Sequence, residues 1–424
     1  MRSDRGADTT TADQATVRRH NLSVVLTHLR DNGPRSRARV ADDTGLNKAT
    51  VSSLVAELVE RRLVREGEAE RGAIGRPGQT IELDGDHVVA LAAEVNVDFI
   101  AALAMNLRGE VVAERRVPLD TAGSEPAPVL NELASLLKRV AGPLQRAGAR
   151  PAGLAVAMPG LVETATGILD DAPNLGWSKV RVRDELGERL GGLGVEIRLE
   201  NEANVGALAE VAARAGSSVR NLLLLTGAAG VGGGIVTDGR LVRGEHGFAG
   251  EVGHMRVDPA GRRCGCGQRG CWETVVGLNA LLAAAANRND PVRDPALDVA
   301  ERLAELDRRA TAGHARTLAA LGDVATWLSL GAGMLVNVLN PEVLVLGGWF
   351  AALGHHLAAP LEADLAAQVY APGAGGCRVE CSTLGFSAAL RGGALQVLDT
   401  VFDDPTVVAP GDHTNQPTQR RSPR

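Results

Sequence analysis

Apolar positions in the first sixty residues recur at helical spacing. Leu22, Val25, Leu26 and Leu29 fall at i, i+3, i+4 and i+7, the stripe of an amphipathic helix, and the segment DNGP at 31–34 ends it. Ser36 is placed to cap a short second helix running to Thr44. Gly45 tolerates a tight turn, Asn47 can cap a third helix, and Val51, Leu54, Val55, Leu58 and Val59 give that helix its own stripe. Segments 63–68 and 79–83 then read as two strands around the loop 69–78. From Val88 the pattern becomes a strand meander, VVALAAEV, FIAALAMN and VVAERRVPL, followed by an amphipathic helix across Leu130 to Leu144. A comparable meander starts at Asn221 with NLLLLTG, GGGIVTDG and RLVRG. Two meanders opening two α/β stretches predict a duplicated α/β fold in two lobes, and a ligand would bind in the cleft between them.

Composition adds bounds to this picture. With 424 residues, 45% of them hydrophobic, the chain can build more than one core, and two or three domains are expected at about 150 residues each. The expected divisions are a polar, disordered tail at 1–14, a DNA-binding domain at 15–84, a two-lobed ligand-binding domain at 85–404, and a second disordered tail at 405–424. Runs of about 18 apolar residues are missing, the stretch from Leu222 to Val236 is broken by glycine, and the N-terminus has no apolar signal region, so a cytoplasmic protein without a membrane partner is expected. Five cysteines, an odd number, argue against a disulfide framework. A net charge of −6 argues against blanket nucleic-acid binding, yet Arg18, Arg19, Arg30, Arg35, Arg37 and Arg39 gather at one end. Aromatic residues make up only 2% of the chain, too few to stack unpaired bases, so a double helix is the better nucleic-acid partner.

That basic end has the spacing of a helix-turn-helix. Ala41 is small enough for two helices to approach, Gly45 makes the turn, and Val51 plugs the space between them. Lys48, Ala49, Thr50, Ser52 and Ser53, with Asn47 and Arg35 beside them, are the candidate contacts to base edges and backbone in a major groove. In the wing loop, Arg76 lies in the segment GRPG with Pro77 and Gly78, narrow enough to enter a minor groove. The competing reading is a helical hairpin used only for packing.

Two further groups of residues carry chemistry. Asn201, Glu202 and Asn204, where a predicted strand meets a helix, offer the donors and acceptors that a polyhydroxylated ligand needs, although such residues often serve only as helix caps. Cys264, Cys266 and Cys271 lie within the segment CGCGQRGC, where interleaved glycines let the backbone wrap around one point. A tetrahedral zinc ion needs a fourth ligand, and His254 is ten residues upstream. Three cysteines and one histidine make a closed, structural site for Zn(2+) that would fix a loop at 254–273 and activate no water.

Taken together, GEVGH, CGCGQRGCWE, NEAN, MPG, PNLGW, VGGGI and NPEVLVLGG resemble the ROK family (repressor, open reading frame, kinase), and within it the DNA-binding regulators of the xylose-repressor and N-acetylglucosamine-repressor type. The resemblance runs from about Arg18 to Val401. It implies an N-terminal winged helix-turn-helix followed by a duplicated actin-like, RNase-H-like fold. By carry-over, Asn201, Glu202, Glu251, His254 and Glu273 line a sugar site, with Gly160 contributing backbone. Zinc would hold His254 through one ring nitrogen and leave the other to the sugar. It further implies palindromic double-stranded operator DNA, a monosaccharide or sugar-phosphate effector, and a homodimer or homotetramer. Family kinases carry an Asp-x-Gly-x-Thr phosphate motif where this chain has EVNVD (94–98), a Gly-Thr-Gly loop where it has Ala228, Ala229 and Gly230, and a catalytic aspartate where it has Glu202. These departures favour a sugar-responsive repressor over the alternative, a sugar kinase with an attached DNA-binding domain.

Overall fold

The three N-terminal helices begin on side chains that satisfy their free amides. In the computed structural model, which describes residues 13–69, 79–370 and 377–411, Asp13 accepts from Thr16 N at the start of α1 (Gln14–Asn32). After β1 (Arg35–Ser36), Ser36 caps α2 (Arg37–Thr44), and Asn47 caps α3 (Lys48–Glu60) by accepting from Thr50 N at 2.8 Å. Gly45 ends α2 with φ 74°, and Val51 is fully buried. β2 (Val64–Ala69) and β3 (Gln79–Leu83) pair antiparallel, and β1 adds to the other edge of β3. All the elements expected of a winged helix-turn-helix are present. Arg76, Pro77 and Gly78 lie outside the described residues.

The first lobe contains β4 (Val88–Val95), β5 (Phe99–Asn106), β6 (Val111–Pro118), α4 (Pro126–Arg146), β7 (Arg150–Met158), the small sheet of β8 (Leu161–Glu163), β9 (Ile168–Ala172) and β10 (Trp177–Val180), then α5 (Val182–Leu190), β11 (Ile197–Asn201) and α6 (Glu202–Ala213). The second contains β12 (Leu222–Gly227), β13 (Val231–Thr237), β14 (Arg240–Leu241), α7 (Glu273–Val276), α8 (Leu278–Ala285), α9 (Val299–Thr311), α10 (Ala315–Leu339), β15 (Val343–Gly348), α11 (Trp349–Ala352), α12 (Gly354–Gln368) and β16 (Arg378–Cys381). Their five-stranded sheets run β6-β5-β4-β7-β11 and β14-β13-β12-β15-β16. Each is an antiparallel meander extended by two parallel strands, in the same order. The predicted duplication is therefore present.

A last helix, α13 (Ala388–Asp403), returns to the first lobe and packs on β4, β7 and α6. Strands β4 and β5 are buried along their whole length because both faces of the sheet are covered. Leu91, Ala93, Ile100 and Ala102 meet α4, whereas Ala90, Ala92, Ala101 and Leu103 belong to the core shared with α13 and the winged domain. That shared core also takes in Val408, which follows a 3-10 turn at Pro405–Val407, and Arg61 Nη1 donates to Val408 O at 2.7 Å. The expected disordered tail at 405–424 thus starts too early: the chain remains packed through Gly411, whose N–H donates to Glu60 O. Likewise α1 begins at Gln14, inside the tail expected at 1–14. Among the described residues α10 alone is long and apolar enough to cross a membrane, and most of it is buried in the second lobe.

Candidate functional site

The junction of β11 and α6 opens the cleft on the first-lobe side. Asn201 caps α6, its Oδ1 accepting from Ala203 N at 2.9 Å and Asn204 N at 3.2 Å, and its Nδ2 donates to Gly160 O at 3.1 Å. Gly160 has φ 92° and no room for a side chain, so the backbone itself forms that wall. Glu202 is the first residue of α6, and its Oε2 is enclosed with no hydrogen-bond partner. Burial pushes its carboxyl well above the usual range, reinforced by the charges of Glu251 and Glu94. From the second lobe come Glu251, preceding the 3-10 turn Val252–His254, and Glu273, which opens α7. Burial raises the Glu251 carboxyl as well. Gly160, Asn201, Glu202, Glu251, His254 and Glu273 all line one cleft, a concave site with convergent polar groups of the kind that binds small molecules. Asn204 does not line it; its side chain is buried in α6 packing.

His254, Cys264, Cys266 and Cys271 converge at the base of this cleft, with ligand atoms all within 4.8 Å of one another. Cys266 Sγ and Cys271 Sγ are 3.7 Å apart, and Cys264 Sγ is 3.6 Å from His254 Nδ1. With bonds of about 2.3 Å to sulfur, the edges of a tetrahedral zinc site are about 3.7 Å, so the donor set fits such an ion. Burial raises the Cys264 and Cys271 thiols, so their thiolate forms need a compensating cation. His254 presents Nδ1 to the sulfurs, which leaves Nε2 for the cleft. As a thiol, Cys264 Sγ donates to Glu273 Oε1 at 2.7 Å, which places the cysteine–histidine cluster against a cleft carboxylate. Within the loop, Gly270 is required: a Cβ there would sit 1.6 Å from Asp258 O.

Three contributors to this arrangement were not anticipated. Trp272, fully buried, anchors the loop to the second lobe: its N–H donates to Met255 O and its indole Nε1 donates to Trp327 O, both at 2.8 Å. Asn174, in the turn PNLGW, and Gly230, between β12 and β13, also line the cleft. The polar residue in an otherwise apolar turn was the available signal for Asn174. A Cβ at Gly230 would lie 2.3 Å from Glu273 Oε2 and 2.8 Å from Asn174 Nδ2. Gly230→Ala is therefore expected to displace both side chains and to abolish ligand-induced thermal stabilisation while leaving the unliganded melting temperature close to wild type, measured by differential scanning fluorimetry.

On the winged domain, Lys48, Ala49, Ser52 and Ser53 are exposed and Thr50 half-buried at the start of α3. Asn47 spends its side-chain oxygen on the cap, and Ser52 Oγ donates to Lys48 O at 2.9 Å. Ser53 turns toward α1, accepting from Arg18, which also pairs with Glu57. Arg35 Nη1 donates to the neighbouring Pro34 O.

The ROK family model matches residues 91–400, and the IclR helix-turn-helix domain model matches 23–68. The chain belongs to the ROK family. Across 392 residues it is 26% identical to the xylose repressor of Bacillus subtilis, covering 92% of this chain and 98% of that one. It is 31% identical over 292 residues to a glucokinase of Halalkalibacterium halodurans, covering 67% of this chain and 87% of the kinase. Its fold matches the crystal structure of a ROK family transcriptional regulator, a homologue of the Escherichia coli Mlc protein, with a TM-score of 0.73 at 22% identity over 93% of this chain and all of the other.

Beside the polar cleft, the ROK domain has a second cavity that shares Asn96, Glu202, Ala228 and Ala229 with it. Glu94 lines this cavity from β4. Its Oε1 accepts from Asn96 Nδ2 at 3.0 Å, its Oε2 is buried without a partner, and burial raises its carboxyl to about 7. Asp98 also lines it, but its charge is not free: Oδ2 lies 3.4 Å from Nη1 of the buried Arg302 on α9, an ion pair joining the two lobes. Among the described residues, no lysine or arginine lines this cavity.

Proposed function

We propose that this ROK protein is a sugar-responsive repressor that binds DNA through its winged domain and holds a monosaccharide in its cleft without phosphorylating it. The observation that carries this reading is α13. Its first residues, Ala388 and Ala389, line the second cavity, and Val397, Leu398, Val401 and Phe402 enter the core of the winged domain. Arg30 of α1 stacks on the Phe402 ring at 4.6 Å and pairs with Asp399 at 3.2 Å. At 1.5 Å per residue, α13 spans about 24 Å. A change in lobe closure would thus move the winged domain as a packed body. In a symmetric dimer on a palindromic operator, half-sites lie about 34 Å or a multiple apart, so a modest shift takes the two reading helices out of register. The sugar need favour the non-binding form by only a few kcal/mol.

The absence of phosphorylation is supported by the second cavity. Its walls combine Glu94 and Glu202, each with one buried oxygen that has no partner, with no lining cation among the described residues, Ala229 supplies no hydroxyl, and Glu202 is one methylene longer than the kinases' aspartate. Zn(2+) held by His254, Cys264, Cys266 and Cys271 would supply no chemistry; it would keep His254 and Glu273 aimed at the sugar.

A thermal-shift screen of monosaccharides and their phosphates, with ATP consumption measured in parallel, tests this reading. At least one free sugar should stabilise the protein, by about 2.7 kcal/mol at one hundred times its dissociation constant, and none should cause ATP turnover. Phosphorylation of any hexose at an enzymatic rate would overturn it. On the DNA side, Lys48→Ala is expected to weaken binding across all sequences and to reduce the logarithmic salt slope by about one, measured by fluorescence anisotropy. An unchanged slope would remove Lys48 from the phosphate contacts.

A further inference from the structure

We propose that Asp307, His355 and His356 form a second divalent-metal site, separate from the cysteine cluster, between α9 and α12 of the second lobe. Asp307 lies on α9, and the two histidines occupy the first turn of α12. His355 Nε2 and His356 Nε2 lie 2.8 and 2.9 Å from the same carboxylate oxygen, Oδ1 of Asp307, and the two imidazole centroids are 3.9 Å apart. The three ligand atoms are all within 4.8 Å of one another.

Two imidazoles from consecutive residues bring the same nitrogen close to a single carboxylate oxygen, an arrangement that an ion would organise. His356 Nε2 hydrogen-bonds to Oδ1 at 2.9 Å, whereas His355 Nε2 lies at 2.8 Å as an ion pair without hydrogen-bond geometry; a divalent ion would replace the proton on each nitrogen and be attracted by the carboxylate. At bond lengths of about 2.0–2.1 Å, adjacent ligands of an octahedral ion are about 2.9 Å apart, which matches the observed separations. Two nitrogens and one oxygen suit a borderline transition ion such as Co2+, Ni2+ or Zn2+, with water completing its shell, and do not suit Mg2+ or Ca2+. His355 is largely exposed and His356 mostly enclosed, so the site is open to solvent on one side. It also sits on the helix that carries Arg302, five residues upstream, which reaches Asp98 across the cleft.

The test is a Co2+ titration of the untagged, metal-stripped full-length protein, followed by absorbance and by metal content after gel filtration. Wild type should bind two ions per chain, one giving intense thiolate charge-transfer bands and one giving none. His355→Gln/His356→Gln should bind one and keep the thiolate bands, whereas Cys264→Ser/Cys266→Ser should bind one and lack them. Asp307→Asn, a milder change at the same place, should weaken the second site at least about tenfold, as loss of a charged ligand predicts. Saturation of wild type at the single thiolate-bound ion, or retention of two ions by the double histidine variant, would overturn the proposal.

Discussion

Replacing Cys266 with serine is expected to release the metal of the cysteine cluster and to lower sugar affinity by about 100-fold, equivalent to about 2.7 kcal/mol. The effect is indirect. Cys266 does not line the cleft, but its sulfur is 3.7 Å from Cys271 Sγ and completes the set that holds Cys264 and His254. Glu273 follows Cys271 by two positions and lies against Cys264, so the loop that the metal would hold also carries Glu273. Loss of one donor frees His254 and Glu273 to adopt several rotamers, and the sugar must then order them at its own expense. The lobe should stay folded, since Cys266 is half-exposed and Trp272 keeps its burial and its bond to Trp327 O. Plasma mass spectrometry of the purified variant should find the cluster empty, and differential scanning fluorimetry should find the sugar-dependent shift gone. DNA affinity should persist and no longer respond to sugar. A metal-free variant that still bound sugar at wild-type strength would show that the cluster does not position these side chains.

The second large effect is on stability and depends on pH. Burial raises Glu94 from 4.5 to about 7. The folded protein therefore holds this proton more tightly than the unfolded chain does. The stabilising contribution is complete below about pH 4.5, is lost as pH rises toward 7, and stays lost above it; over that interval it amounts to about 3 kcal/mol. Glu94→Gln keeps an oxygen to accept from Asn96 Nδ2 and cannot ionise. The variant should match wild type in urea unfolding near pH 4.5 and exceed it by up to about 3 kcal/mol at pH 8. Part of the gain comes through Glu202, whose ionisation is opposed by the Glu94 charge. An identical difference at both pH values would mean that Glu94 does not titrate in this interval.

Much of the molecule was legible because its signals are local. Capping residues Ser36 and Asn47, the turn at Gly45 and the stripe of Val51, Leu54, Val55 and Leu58 are each set within a few positions and appear as expected, whereas Val59, expected in the same stripe, is exposed. The cysteine–histidine cluster was legible for the same reason, its four donors lying within eighteen positions. The repeated meander marked the duplicated lobes. What escaped depends on pairs distant along the chain. Asp98 and Arg302, 204 positions apart, meet only after both lobes have formed. Arg116 lies between Phe99 at 5.5 Å and Phe386 at 5.3 Å, again joining separate segments. Gly331 matters because Trp272 lies against it, where a Cβ would come within 2.2 Å of the indole, and neither residue predicts the other. The docking of the winged domain on α13 was likewise invisible: the apolar face of a helix does not name what it will cover.

Sugar in the cleft must be felt at the winged domain for this protein to act as a sugar-responsive repressor. The most direct measurement is the anisotropy of a DNA duplex selected by the full-length protein from a random library, titrated with protein in the presence and absence of the stabilising sugar. DNA affinity should fall at least tenfold with sugar for wild type, a coupling of about 1.4 kcal/mol, and should not change for His254→Ala. Equal DNA affinity for wild type at saturating and zero sugar would contradict it.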